Sequence, residues 1–236
     1  MRGLRIVSAV LCVLAALPSA AAADEATDAF HAALGEAYRP YREAVHYYET
    51  GNNELAEIAL EEFVASWKAL VARYAAMPPP GYAKDADFGK TLAAIADKAA
   101  RAVGASPVEA LPALRPIRSD LAALRKRNGL TVFSDCVDAM NAAMDRLWAY
   151  RQKPPGANEV PAFKAAVAAT TGRYRNCLEV APAPTRESAE FRRMLEGALA
   201  SLARLEAAAE AGNAELVVSL LRELRSFDKL IWMRFG

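Results

Sequence analysis

The sequence predicts an all-α protein built as two tandem antiparallel four-helix bundles from an internal duplication. Three observations carry this expectation: glycine and proline breaks recur at helix-length intervals, apolar residues between them follow a helical period, and the second half repeats landmarks of the first. Breaks fall at Gly51, Met77 to Gly81, Gly104, Gly129, Pro154-Pro155-Gly156, Pro182 to Pro184 and Gly212. The segments between are rich in Ala, Leu, Glu, Arg and Lys, which lose little rotamer freedom in a helix, and eight helices are expected.

The apolar spacing supports each segment in turn. Leu60, Phe63, Trp67, Leu70 and Tyr74 step by three and four, as do Phe133, Val137, Met140, Met144 and Leu147, and again Leu220, Leu224, Phe227 and Ile231. Each series paints one apolar stripe on an otherwise charged helix, and such a helix must pack against others to bury it.

The duplication is read by offset. A shift of 103 residues lays Tyr47 on Tyr150, Pro79 on Pro182, Phe88 on Phe191 and Leu92 on Leu195. A shift of 107 lays Arg115 on Arg222, Arg118 on Arg225, Ser119 on Ser226, Arg127 on Arg234 and Gly129 on Gly236. The change of four is about one helical turn, which a longer third helix in the second copy absorbs. Short breaks favour antiparallel neighbours, so the expected units are residues 24–129 and 130–236, meeting where Arg125-Lys126-Arg127-Asn128-Gly129 places cations before a glycine stop.

Residues 1–23 read as a secretory signal peptide. Arg2 and Arg5 precede an apolar run from Ile6 to Leu17, then Pro18, Ser19 and an alanine tract with the cut expected before Asp24. The run is short for a membrane span, and no later segment supplies one, so the mature protein is expected to be soluble in a bacterial periplasm. Cys12 leaves with the signal. Losing Arg2 and Arg5 takes 29 basic residues to 27 against 28 acidic ones, a net charge of −1, which offers nothing to nucleic acid.

Cys136 and Cys177 remain in an oxidising compartment. Each lies about twenty residues from the Pro154-Pro155-Gly156 break, so an antiparallel hairpin would bring them together at its open end. A disulfide is the favoured reading over reactive thiols or soft-metal ligands.

Candidate chemistry is sparse. There is no phosphate loop, HExxH or nucleophile elbow, and His31 and His46, fifteen residues apart on the first helix, stand about 22 Å from each other. An enzyme is not expected. His46 and Glu49 share a helix face, and Glu57 and Glu61 begin the next helix, a set from which a bundle could build a transition-metal site; the alternative is a solvated acidic helix start. Met140 and Met144 read as core rather than copper ligands, since both lie on the apolar stripe. Tyr38, Tyr41, Tyr47, Tyr48, Trp67, Tyr74 and Tyr82 crowd the first copy, where a cleft could take a planar or apolar ligand. Arg115 with Arg118, and Arg222 with Arg225, are spaced to clamp an anion or to pair with glutamates of a neighbouring helix.

With its signal peptide, helix lengths and proline-containing breaks, the chain resembles periplasmic four-helix-bundle proteins of the cytochrome c′ and cytochrome b562 kind, duplicated. It departs from them at the haem. Where a Cys-x-x-Cys-His would stand near the end of each fourth helix, the text reads Leu124-Arg125-Lys126-Arg127-Asn128 and Ile231-Trp232-Met233-Arg234-Phe235, and neither helix has a histidine, which argues against haem c. Ala44-Val45-His46-Tyr47-Tyr48-Glu49 is similar to the Gly-x-His-x-x-Glu motif of imelysin-like periplasmic proteins, without its glycine. The expected function is an exported, non-enzymatic binding or accessory module for a protein or small ligand, linked by the resemblance to respiratory or metal-handling systems. The alternative is a periplasmic metal-binding protein with its site on the first bundle.

Overall fold

The computed structural model describes the backbone of residues 20–236 and side chains from Asp24 onward; the expected signal peptide lies outside the described residues, apart from the backbone of its last four. Among the described residues the chain is all-α, with ten helices and no strand: α1 (Ala20–Thr50), α2 (Asn53–Tyr74), α3 (Phe88–Ala102), α4 (Pro107–Leu114), α5 (Pro116–Arg127), α6 (Phe133–Trp148), α7 (Val160–Val180), α8 (Ala183–Glu187), α9 (Ala189–Glu210) and α10 (Ala214–Phe235). None of these is long and apolar enough to cross a membrane.

Two of the ten exceed the eight expected, and proline accounts for both. Pro116 has no N–H to donate to Pro112, so one expected helix becomes α4 and α5, hinged at Arg115. Pro182 and Pro184 set off the single turn of α8 before Ser188 starts α9 by accepting from the Phe191 N–H at 3.3 Å. The tight reversals from α1 to α2 and from α9 to α10 use Gly51 and Gly212 at φ +80° and +66°, a left-handed conformation that a Cβ would strain.

The helices pack as neighbours. α1 lies on α2, α2 on α3, and α3 on α4 and α5; further along, α6 lies on α7, α7 on α9, and α9 on α10, which closes back on α6. α10 also touches α1, joining the two groups. The stripe of α2 is buried throughout, and the Trp67 indole N–H, fully buried, donates to the Leu92 carbonyl at 2.9 Å. Phe30 meets Tyr74, Tyr82 and Phe88 with ring centroids 5.0 to 5.5 Å apart, edge-on or tilted, contacts worth about 0.5–1.5 kcal/mol each beyond their burial.

Cys136 and Cys177 are disulfide-bonded, with Cα atoms 5.6 Å apart, and they tie the start of α6 to the end of α7 as the hairpin geometry predicts.

Candidate functional site

The side chains that combine charge with burial gather where α1, α4 and α5 face α6 and α10. Their placement follows from the helical period. On α10 the inward side runs through Leu220, Leu221, Leu224, Asp228, Ile231 and Trp232, so a carboxylate occupies a core position and is 2% exposed. A buried carboxylate must be matched by donors, and three helices supply them. Asn141 of α6 donates its amide at 2.6 Å, Tyr174 of α7 its hydroxyl at 3.1 Å, and Arg225, one turn earlier on α10, approaches at 3.3 Å.

From Asp228 the network runs both ways. Arg225 also reaches Asp145 at 2.6 Å and lies over the Trp148 ring, 5.8 Å from its centroid. Asn141 accepts from Arg118 at 2.5 Å, and Arg118 bonds Asp138 while lying over the Trp232 ring at 5.3 Å. At the end of α5, buried Arg125 donates to Asp135 at 2.9 Å, and Asp135 in turn accepts from the Val132 N–H at 2.9 Å. Burial pushes the Asp228 and Asp138 carboxyls above the usual carboxylate range, against the pull of their partners.

Two hollows flank Arg118. The first, about 180 Å³, lies between α1, α5, the start of α6 and the end of α10. Leu34, Tyr38, Leu121, Phe133 and Phe235 give it apolar walls, and Arg42, Arg118, Arg125 and Asp138 line it as well. Arg42 is buried and donates to the carbonyl oxygens of Met233, at 3.0 Å, and Gly236, a cation at the C-terminal end of α10 where the helix dipole favours one. The Tyr38 phenol is pushed well above its ordinary pKa by burial and stays neutral. His31, also in the wall, is bonded to the Tyr82 hydroxyl at 2.9 Å; burial and then Arg125 lower its pKa, so its ring is neutral at pH 7.

The second hollow, about 260 Å³, is a salt-bridged cleft. Arg115, Arg118 and Arg225 converge on it, joined by Lys229, so three of the four arginines marked as an anion clamp do meet in space. Arg222 is exposed and takes no part. The converging cations are already engaged: Arg115 pairs with Glu49 at 3.4 Å and Lys229 with the same carboxylate at 2.9 Å.

Glu49 also belongs to the expected metal set. His46, Glu49, Glu57 and Glu61 are not brought together, and among the described residues no group of three or more His, Cys, Asp or Glu could hold a metal ion. The physical reason is that Glu49 turns to two cations. Burial pushes its carboxyl up, but Lys229 and Arg115 together hold it below the usual carboxylate range. Glu57 and Glu61 are exposed on α2, and the His46 ring lies 5.8 Å from that of Tyr47. Met140 and Met144 are fully buried beside Val137 and Leu147. The aromatic residues of the first half are mostly core; Tyr38 does line a cavity, but with rings from the other half, Phe133 and Phe235.

Sequence reasoning missed Asp228, Asn141, Asp138 and Arg42. A signal existed for Asp228, which continues the 220, 224 step at four residues.

Compared with protein-family models, curated proteins and solved structures, the chain matches none.

Proposed function

We propose that the chain is an exported, non-enzymatic binding module of two duplicated four-helix units, holding a small ligand at the seam between them. The observation that carries this reading is the cavity of about 180 Å³ beside Arg118, walled by apolar side chains from both halves and fringed by guanidinium groups. A mostly apolar hollow with a few convergent polar groups is the usual form of a small-ligand site. Its charged residues hold one another, Arg118 to Asp138 and Arg125 to Asp135, and its histidine is bonded to a tyrosine; these are positioning contacts rather than a nucleophile with its base.

Duplication is supported by recurring pairs. Phe30 with Phe88 and Phe133 with Phe191, each related by a shift of 103, place ring centroids 5.5 and 5.9 Å apart. Arg118 and Arg225, related by 107, each lie over a tryptophan and each pair with an aspartate of α6. Export is supported by the signal-like first residues and by the Cys136–Cys177 disulfide, which suits an oxidising compartment.

The test is to incubate signal-cleaved protein with a library of small metabolites and recover what it retains by mass spectrometry. A binding module returns its ligand saturably and chemically unchanged. Turnover of a retained compound, abolished by Arg118→Gln, would overturn the non-enzymatic part.

A further inference from the structure

Resting on the seam cavity as the ligand site, we infer that it takes a small monocarboxylate with a compact apolar body, such as a single ring, the carboxylate meeting the Arg118 face and the body lying among Leu34, Leu121 and Phe235.

Size sets the body. An engineered apolar cavity of about 150 Å³ accommodates benzene. A hollow of about 180 Å³ therefore has room for one ring and a carboxylate, and is too small for a fused polycyclic ligand. The walls agree, since Leu34, Leu121, Phe133 and Phe235 present hydrocarbon and only the fringe is charged.

Hydrogen-bond balance sets the head group. Each guanidinium carries five N–H groups and no acceptor. Within the protein Arg42 uses Nε and Nη1, Arg118 uses Nε and Nη2, and Arg125 uses Nε and Nη2. Each guanidinium thus keeps N–H groups beyond those bonds. A planar carboxylate offers the complementary acceptors in the geometry guanidinium groups bind best. The balance of charge has the same sign, since Arg42, Arg118 and Arg125 line the cavity with a single carboxylate, Asp138. Lys would not serve equally, because its point charge lacks the planar fork.

Isothermal titration of the signal-cleaved protein with benzoate, its neutral isostere benzamide, the cation benzamidinium, and acetate separates head group from body. Benzoate is expected to bind at least tenfold more tightly than benzamide or acetate, with benzamidinium weakest. Arg118→Gln should weaken benzoate at least tenfold and leave benzamide within about twofold. Since Arg118 also supports Asn141 and Asp138, a second variant guards against misfolding. Gly35 lines the cavity, and a Cβ there would meet nothing within 4 Å, so Gly35→Leu adds bulk at the wall from an uncrowded position. It should weaken benzoate and benzamide alike. Benzamide binding as tightly as benzoate, with both lost in Gly35→Leu, would overturn the carboxylate inference and leave the site standing. No probe binding, or binding indifferent to Gly35→Leu, would overturn both.

Discussion

The carboxylate of Asp228 accepts from the side-chain amide of Asn141 at 2.6 Å, across 87 residues of sequence, and the bond fastens α10 to α6. The same amide group accepts from Arg118 through its oxygen, so one asparagine relays between a buried acid and a half-buried base. Removing the acid strands its donors. Asp228→Ala should cost about 3 kcal/mol, because Asn141, Tyr174 and Arg225 all lose an acceptor. Urea unfolding followed by circular dichroism checks this, and a loss below about 1 kcal/mol would contradict the network's role.

The acidity of Asp228 gives a sign for pH. Burial raises its folded pKa above the unfolded one, so the folded protein takes up the proton first as pH falls. The cost of holding the charge is present at neutral pH and is relieved through the raised value towards the ordinary carboxylate range. Measured from about pH 7 to about pH 4, the stability of the parent protein relative to Asp228→Asn should therefore improve. A relative decline would mean that the donors dominate over burial.

Reduction of the disulfide should be costly. In the loop-entropy model, releasing a closed loop of 41 residues between Cys136 and Cys177 loses about 4 kcal/mol. The Cys136→Ser/Cys177→Ser double variant, compared with the parent by urea unfolding, reads the difference. A loss under about 1 kcal/mol would show that α6 and α7 are held by packing alone.

Two glycines should respond oppositely to alanine. A Cβ on Gly89 would stand 2.6 Å from the Ala75 carbonyl oxygen, so Gly89→Ala must move the end of α2 from α3 and should destabilise by about 1–2 kcal/mol. Gly35, mid-helix in α1 with open space around it, should gain about 0.5–1 kcal/mol as alanine. Thermal unfolding of both variants would contradict the packing if the signs were reversed.

Much of the architecture was legible in the sequence because it depends on local periodicity. The stripe from Leu60 to Tyr74 is buried residue for residue, and the hairpin argument placed Cys136 beside Cys177. Where the reading fell short, long-range partners decided. Pro116 split a helix whose apolar rhythm continues through it. On α10 the step from Leu224 goes to Asp228 as the fully buried residue, with Phe227 only partly buried, because Asn141 and Tyr174 satisfy the acid there. Glu49 sits one turn from His46 as a ligand pair would, yet Lys229, 180 residues away, claims it. The cavity had no linear signature, since its walls come from residues as far apart as Leu34 and Phe235.

The seam as a ligand site is tested most directly by methyl-resolved NMR of signal-cleaved protein titrated with benzoate. The methyl signals of Leu34 and Leu121 should move saturably, while those of Leu202 and Leu205, fully buried on α9, stay in place. Silent Leu34 and Leu121 signals, or saturable shifts confined to another part of the molecule, would contradict it.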